Sequence, residues 1–106
     1  MDDKEFQTHA VEALEDLYNR LGPAAEEHDF EADFNAGALA IEFQDPPAKF
    51  VVSPNSPVKQ VWVSAHMKSY KLDWDPSRAA FTMNGQTLAE LIAEAVGKQL
   101  GTAVSL

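Results

Sequence analysis

The sequence predicts an α+β fold, a two-layer α/β sandwich with N- and C-terminal helices packed on one face of an antiparallel sheet of about six strands. Three observations carry this. Apolar residues recur at three- and four-residue spacing near both ends of the chain, the mark of amphipathic helices. Between them lie short runs of alternating apolar and polar residues, and turn residues separate those runs. The 106 residues, 45% of them apolar, suffice for one core. A single domain is therefore expected over 1–106, with an ordered core from about 4 to 100 and a short tail over 101–106.

Phe6, Ala10, Ala13/Leu14, Leu17 and Leu21 form the first helical stripe. Gly22-Pro23 is expected to end that helix, because Gly suits a C-terminal cap and Pro disfavours continuation. Residues 27–34 then read as a strand, with Phe30, Ala32 and Phe34 on one side and Glu27, Asp29, Glu31 and Asp33 on the other. Asn35-Ala36-Gly37 supplies a hairpin turn, and Leu39, Ile41 and Phe43 point inward from the second strand. Asp45-Pro46-Pro47 breaks the chain. A third strand over Lys49–Ser53 buries Phe50 and Val52, and Ser53-Pro54-Asn55-Ser56-Pro57 is expected as a stiff loop. In the fourth strand, Lys59–Ala65, Val61 and Val63 face one way while Gln60, Trp62 and Ser64 face the other. Tyr70, Leu72 and Trp74 form the inner face of a fifth strand. Asp75-Pro76-Ser77 turns into a sixth around Ala79–Met83. After Asn84-Gly85, Thr87 and Glu90 have the spacing of a capping box, and Leu88, Leu91, Ile92, Ala95 and Val96 or Gln99 mark the last helix up to Gly101.

Charge is distributed as a pole. Residues 1–45 hold 13 acids against Lys4 and Arg20, a net of −11, whereas residues 46–106 hold 4 acids and 6 bases, a net of +2. Such a pole repels nucleic acid and anionic membrane and attracts cations or a basic protein surface. Cysteine is absent, which removes disulfides, thiolate metal sites and Cys nucleophiles. No apolar run approaches the roughly 20 residues of a spanning helix, and the first residues do not resemble a signal peptide, so a cytoplasmic location is expected.

The row of acids over residues 27–33 has two readings. Charges on an exposed strand face solvate it and discourage strand-to-strand aggregation. Four carboxylates with no base among them, about 7 Å apart on a strand, also offer oxygen ligands to hard cations such as Ca²⁺, Mn²⁺ or iron, weakly, since a flat face closes no cage. Glu12, Glu15 and Asp16 on the first helix extend that acidic surface. His28, between Glu27 and Asp29, is either a further ligand or a surface residue, while His9 and His66 match no metal-binding spacing. Trp62, on the polar side of its strand, is either capped by a neighbour or a contact anchor. A phosphate-binding Gly loop, a nucleophile elbow and a di-iron Glu-x-x-His pair are all missing, so no catalytic centre is expected.

Taken together, the leading helix, the acidic strand, Asn35-x-Gly-x-Leu39, Pro57-x-x-Gln60-Val61-Trp62 and Tyr70-Lys71-Leu72-Asp73 resemble the frataxin family, in particular its short bacterial iron-donor members. The resemblance covers about residues 3–100. It implies a protein that binds iron (Fe²⁺ or Fe³⁺) weakly along an acidic ridge, is monomeric without iron, and docks on a cysteine desulfurase and an iron–sulfur scaffold protein. By position it places metal ligands at Glu27, Asp29, Glu31 and Asp33; Glu15 and Asp16 of the first helix are expected to join them, and Glu26 with Glu27 to replace part of the carboxylate cluster the family carries at the end of that helix. The partner contacts fall at Glu27, Asp29, Glu31, Asp33, Gln60 and Trp62. The chain departs from the family in three places: Asn19-Arg20-Leu21-Gly22-Pro23 replaces a carboxylate cluster, Ser53-Pro54-Asn55 replaces an Asn-basic-Gln loop, and Ala79 replaces a tryptophan. Trp74 or Phe81 is expected to fill part of that tryptophan's volume. The competing reading is an acidic adaptor or inhibitor that binds a basic protein without metal.

Overall fold

The apolar stripe of the first helix runs further than Gly22-Pro23. In the computed structural model, which describes residues 1–44 and 46–106, helix α1 spans Asp3–His28 with Pro23 inside it. The Asp2 side chain caps its start by accepting the Glu5 backbone N–H at 2.8 Å. Pro23 is exposed, whereas Leu21 and Ala24 on either side of it are buried. Their burial carries the helix through a residue whose missing N–H and ring weaken the local ladder. The helix ends at Asp29, which adopts the left-handed conformation (φ 58) and returns its N–H to the Ala25 carbonyl.

Among the described residues seven strands follow in a simple meander: β1 (Glu31–Asn35), β2 (Ala38–Gln44), β3 (Pro47–Asn55), β4 (Gln60–Ala65), β5 (Lys68–Asp75), β6 (Ala80–Met83) and β7 (Gln86–Thr87). Each pairs antiparallel with its sequence neighbour, so spatial order equals chain order and β1 is an edge strand. The expected loop over Ser53–Pro57 is only partly a loop, since Ser53–Asn55 continue β3 and Ser56–Val58 form a 3-10 turn. Pro54 fits in the strand because β2 begins at Ala38, opposite Ser53, and leaves Pro54 without a neighbour on that side. The start of the break expected at Asp45 lies outside the described residues.

Helix α2 (Leu88–Leu100) begins at the expected capping box: Thr87 accepts the Glu90 N–H, and Glu90 accepts the Thr87 N–H. Gly101 closes it at φ 73. Both helices lie on one face of the sheet. Phe6, Leu17 and Leu21 of α1 and Ile92 and Val96 of α2 meet Leu39, Ile41, Phe50, Val52, Val61, Val63 and Leu72 in one core. Each such Leu or Phe contributes roughly 1.5–3 kcal/mol by burial. No polar or charged side chain is buried among the described residues. The tail beyond Gly101 returns Val104 and Leu106 against the core, and the Arg20 guanidinium donates to the Leu106 backbone oxygen at 3.3 Å.

Candidate docking and metal-binding surface

The extra turn of α1 reassigns half of the expected acidic strand. Glu26, Glu27 and His28 sit on the last turn of the helix, and Asp29 is its cap. Only Glu31 and Asp33 lie on β1, with Ala32 and Phe34 on the helix-facing side between and beyond them. The row is therefore bent over a helix–strand corner rather than drawn along one strand. His28 lies 4.0 Å from the Glu27 carboxylate.

Helical geometry sorts the acids of α1. Residues 15, 19, 22 and 26 fall within about 60° of one another, along the outer side of the helix. Glu15 and Glu26 thus share one line, roughly 16 Å apart, with Asn19 and Gly22 between them. Glu15 borders a groove with Phe34 and Gly37, which places it beside the β1–β2 hairpin. Asp16 faces the other way. It pairs with Arg20 at 2.7 Å and lines a cleft with Trp74 and Leu106 on the α2 side. The structure thus sets Glu15, Glu26, Glu31 and Asp33 along the α1–β1 edge and separates Asp16 from them.

One of these acids gains a neighbour that strand alternation foretells but that was not singled out above. Glu31 lies directly opposite Glu42 of β2, whose position between inward Ile41 and Phe43 turns it to the outer face. Glu42 in turn pairs across to Lys49 at 3.8 Å. Among the described residues, no three His, Asp or Glu side chains converge to hold one ion. The carboxylate oxygens suit hard cations, but any ion here would take one or two protein ligands and keep its water.

The open face of the sheet carries Trp62, 37% exposed. Its indole N–H donates to Gln60 Oε1 at 3.0 Å, and Gln60 Nε2 donates to Asp73 Oδ1 at 3.0 Å. Lys71, opposite Trp62 on β5, places its ammonium 5.0 Å from the ring centroid. Two strands thus hold the ring in place while one side stays open. Lys71 and Asp73 were not anticipated as part of this group, although both lie on the polar side of the alternation around Leu72.

On the helix face, Ala79 borders a cleft of about 560 Å³. Trp74 lines it and stacks on His9 with centroids 3.9 Å apart, and Phe81 is buried against Trp74 at 5.2 Å. The volume beside Ala79 therefore stays partly open. His9, which matches no metal-binding spacing, is engaged in this stack.

Fold and surface define a class: a sandwich whose helices cover one sheet face and whose α1–β1 edge is acidic, with a pinned tryptophan on the open face. The chain belongs to the frataxin-like family, whose domain profile matches residues 1–102. It is similar to the iron–sulfur cluster assembly protein CyaY of Tolumonas auensis, with 29% identity over 108 residues that cover 100% of this chain and 99% of that one. In structure it resembles a frataxin from Psychromonas ingrahamii of the CyaY family, with a TM-score of 0.73 and 23% identity over 99% of this chain and 97% of that one. Among the described residues no helix is long and apolar enough to cross a membrane.

Proposed function

We propose that this chain acts in iron–sulfur cluster assembly, as a cytoplasmic, non-catalytic protein that docks on a cysteine desulfurase and its scaffold and carries iron loosely. The observation that carries the reading is the α1–β1 edge, where Glu15, Glu26, Glu31 and Asp33 line up with no base between them. Family membership and the similarity to a cluster assembly protein support the pathway. On this reading the acids meet a basic patch of the desulfurase, and Gln60 and Trp62 meet the scaffold. Glu27 and Asp29, at the corner, extend the same surface.

Asp29→Asn, Glu31→Gln and Asp33→Asn together should weaken both iron and desulfurase binding at least tenfold and leave the fold intact. Unchanged affinities would sink the reading. A second reading, an acidic adaptor that uses no metal, draws on the absence of a three-ligand cluster among the described residues. Titrating Fe²⁺ into the isotope-labelled protein separates the two. Amide perturbation confined to residues 26–33 favours iron binding, and a silent spectrum favours the adaptor.

A further inference from the structure

Strand β1 leaves one edge of the sheet open, with β2 as its pairing partner. The two-residue turn Ala36–Gly37, with φ of 54 and 84, closes the hairpin at the pair Asn35–Ala38. In such a hairpin the closing pair is hydrogen-bonded and the pairs alternate from there. Asn35, Asp33 and Glu31 therefore spend their N–H and C=O groups on β2, and those of Ala32 and Phe34 point to the free edge. No backbone hydrogen bond outside the ladder takes them up among the described residues.

The side chains around this edge are sorted by face. On the helix side, Phe34 packs against Tyr18 at 5.2 Å, both remaining about 40–45% exposed. Beside them a groove of about 470 Å³ runs between α1 and β1, lined by Tyr18, Asn19, Gly22, Ala25, Phe30 and Ala32 and also by Glu31 and Asp33. A Cβ at Gly22 would touch nothing within 4 Å, so the groove is open there. Strand alternation turns the Glu31 and Asp33 side chains toward the opposite face of β1 from Ala32 and Phe34.

The geometry points to β1 as an acceptor for an added antiparallel strand: an extended segment of a basic partner protein that alternates apolar and basic residues. Its apolar side chains enter the α1–β1 groove, and its basic side chains lie beside Glu31 and Asp33. Main-chain bonds to Ala32 and Phe34 supply the register. A second copy of this chain is the wrong occupant, since β1 against β1 sets acids beside acids. The acids that deter self-pairing thus admit a basic strand. This inference rests on the reading above in taking a basic protein as the partner, and adds how the partner is held.

The probe is an acetylated, amidated hexapeptide of alternating lysine and valine, titrated into the labelled full chain. In the antiparallel register the valine N–H groups face β1. N-methylation of the valines should lower affinity at least tenfold, while N-methylation of the lysines leaves it within about twofold. Amide exchange at Ala32 and Phe34 should slow at least tenfold in the complex. Ala32→Pro removes one edge donor and no charge, and should weaken binding at an unchanged melting temperature. Equal binding by all three peptides overturns strand addition. If Glu31→Gln with Asp33→Asn still weakens them, the acidic docking surface survives that failure; if it does not, both readings fall. A dimer that forms without peptide and buries β1 overturns the proposal in favour of self-pairing.

Discussion

An acid retained for docking should cost the free protein stability, and Glu31 allows that cost to be worked out. It stands directly across from Glu42 on β2. Opposite Cβ atoms lie about 5 Å apart, and the carboxylates can splay to roughly 7 Å. Two unit charges at these separations repel by about 0.6–0.8 kcal/mol in bulk water. Lys49, 3.8 Å from Glu42, offsets part of this. The residue for Glu31→Gln is then a gain of roughly 0.3–0.5 kcal/mol, or about 1–4 °C in melting temperature for a domain of this size. The gain should appear in thermal melts at about 10 mM salt, where the Debye length is near 30 Å, and vanish at about 1 M, where it is near 3 Å. The same variant should bind a basic partner more weakly, so stability and binding move in opposite directions. In a double-mutant cycle with Glu42→Gln, most of the gain should be shared. A Glu31→Gln protein that melts lower, or whose shift ignores salt, would show that Glu31 only solvates the strand, and the reasoning would be wrong.

Three other outcomes follow from the same structure. Trp62→Ala should weaken scaffold binding at least tenfold in a titration while iron binding by the isolated protein is spared. Gly22→Ala should stabilise by less than the full ~1 kcal/mol of helix propensity in denaturant unfolding, because a Cβ there meets no distant atom but is crowded by the ring of Pro23 that follows it in the helix. Asp75 is held below its ordinary 3.8, first by the Ser77 hydroxyl, and Glu90 below its ordinary 4.5, first by the Thr87 backbone N–H. Carboxyls lowered in the folded state stabilise fully above their unfolded values and lose that contribution as pH falls through the folded ones. Denaturant midpoints should therefore drop as pH falls below 4.5, and drop less in an Asp75→Asn, Glu90→Gln variant.

Elements were legible where local chemistry and burial agreed. The capping box at Thr87 and Glu90 sets the start of α2, and the alternation around Val61 and Val63 puts Trp62 outside. Gly22-Pro23 misled because two local signals for a helix end were outweighed by burial of Leu21 and Ala24. The stripe itself held the clue, since Leu14, Leu17, Leu21 and Ala24 keep the helical spacing straight through the proline. Strand β7 escaped notice because two residues show no alternation. The acidic edge was legible as a composition and not as a shape. Which acids share a face depends on where the helix stops, and that is a tertiary outcome.

The shape changes what the acids can do. On a flat strand, Glu27, Asp29, Glu31 and Asp33 would stand in one line about 7 Å apart. Bent over the corner between α1 and β1, they are divided among a helix turn, a left-handed cap and a strand, with Glu15 and Glu26 roughly 16 Å apart on the helix. No three converge among the described residues, so the chelate geometry that makes a tight cation site is missing there. Spread does not weaken their action on a large partner in the same way, because a basic surface can meet each carboxylate separately and the whole edge contributes to its field. Geometry thus favours docking over metal retention on the same residues. On the proposed reading, an ion held by one or two carboxylates should be released when a basic surface arrives, so a titration of the iron-loaded protein with the basic partner should free the ion.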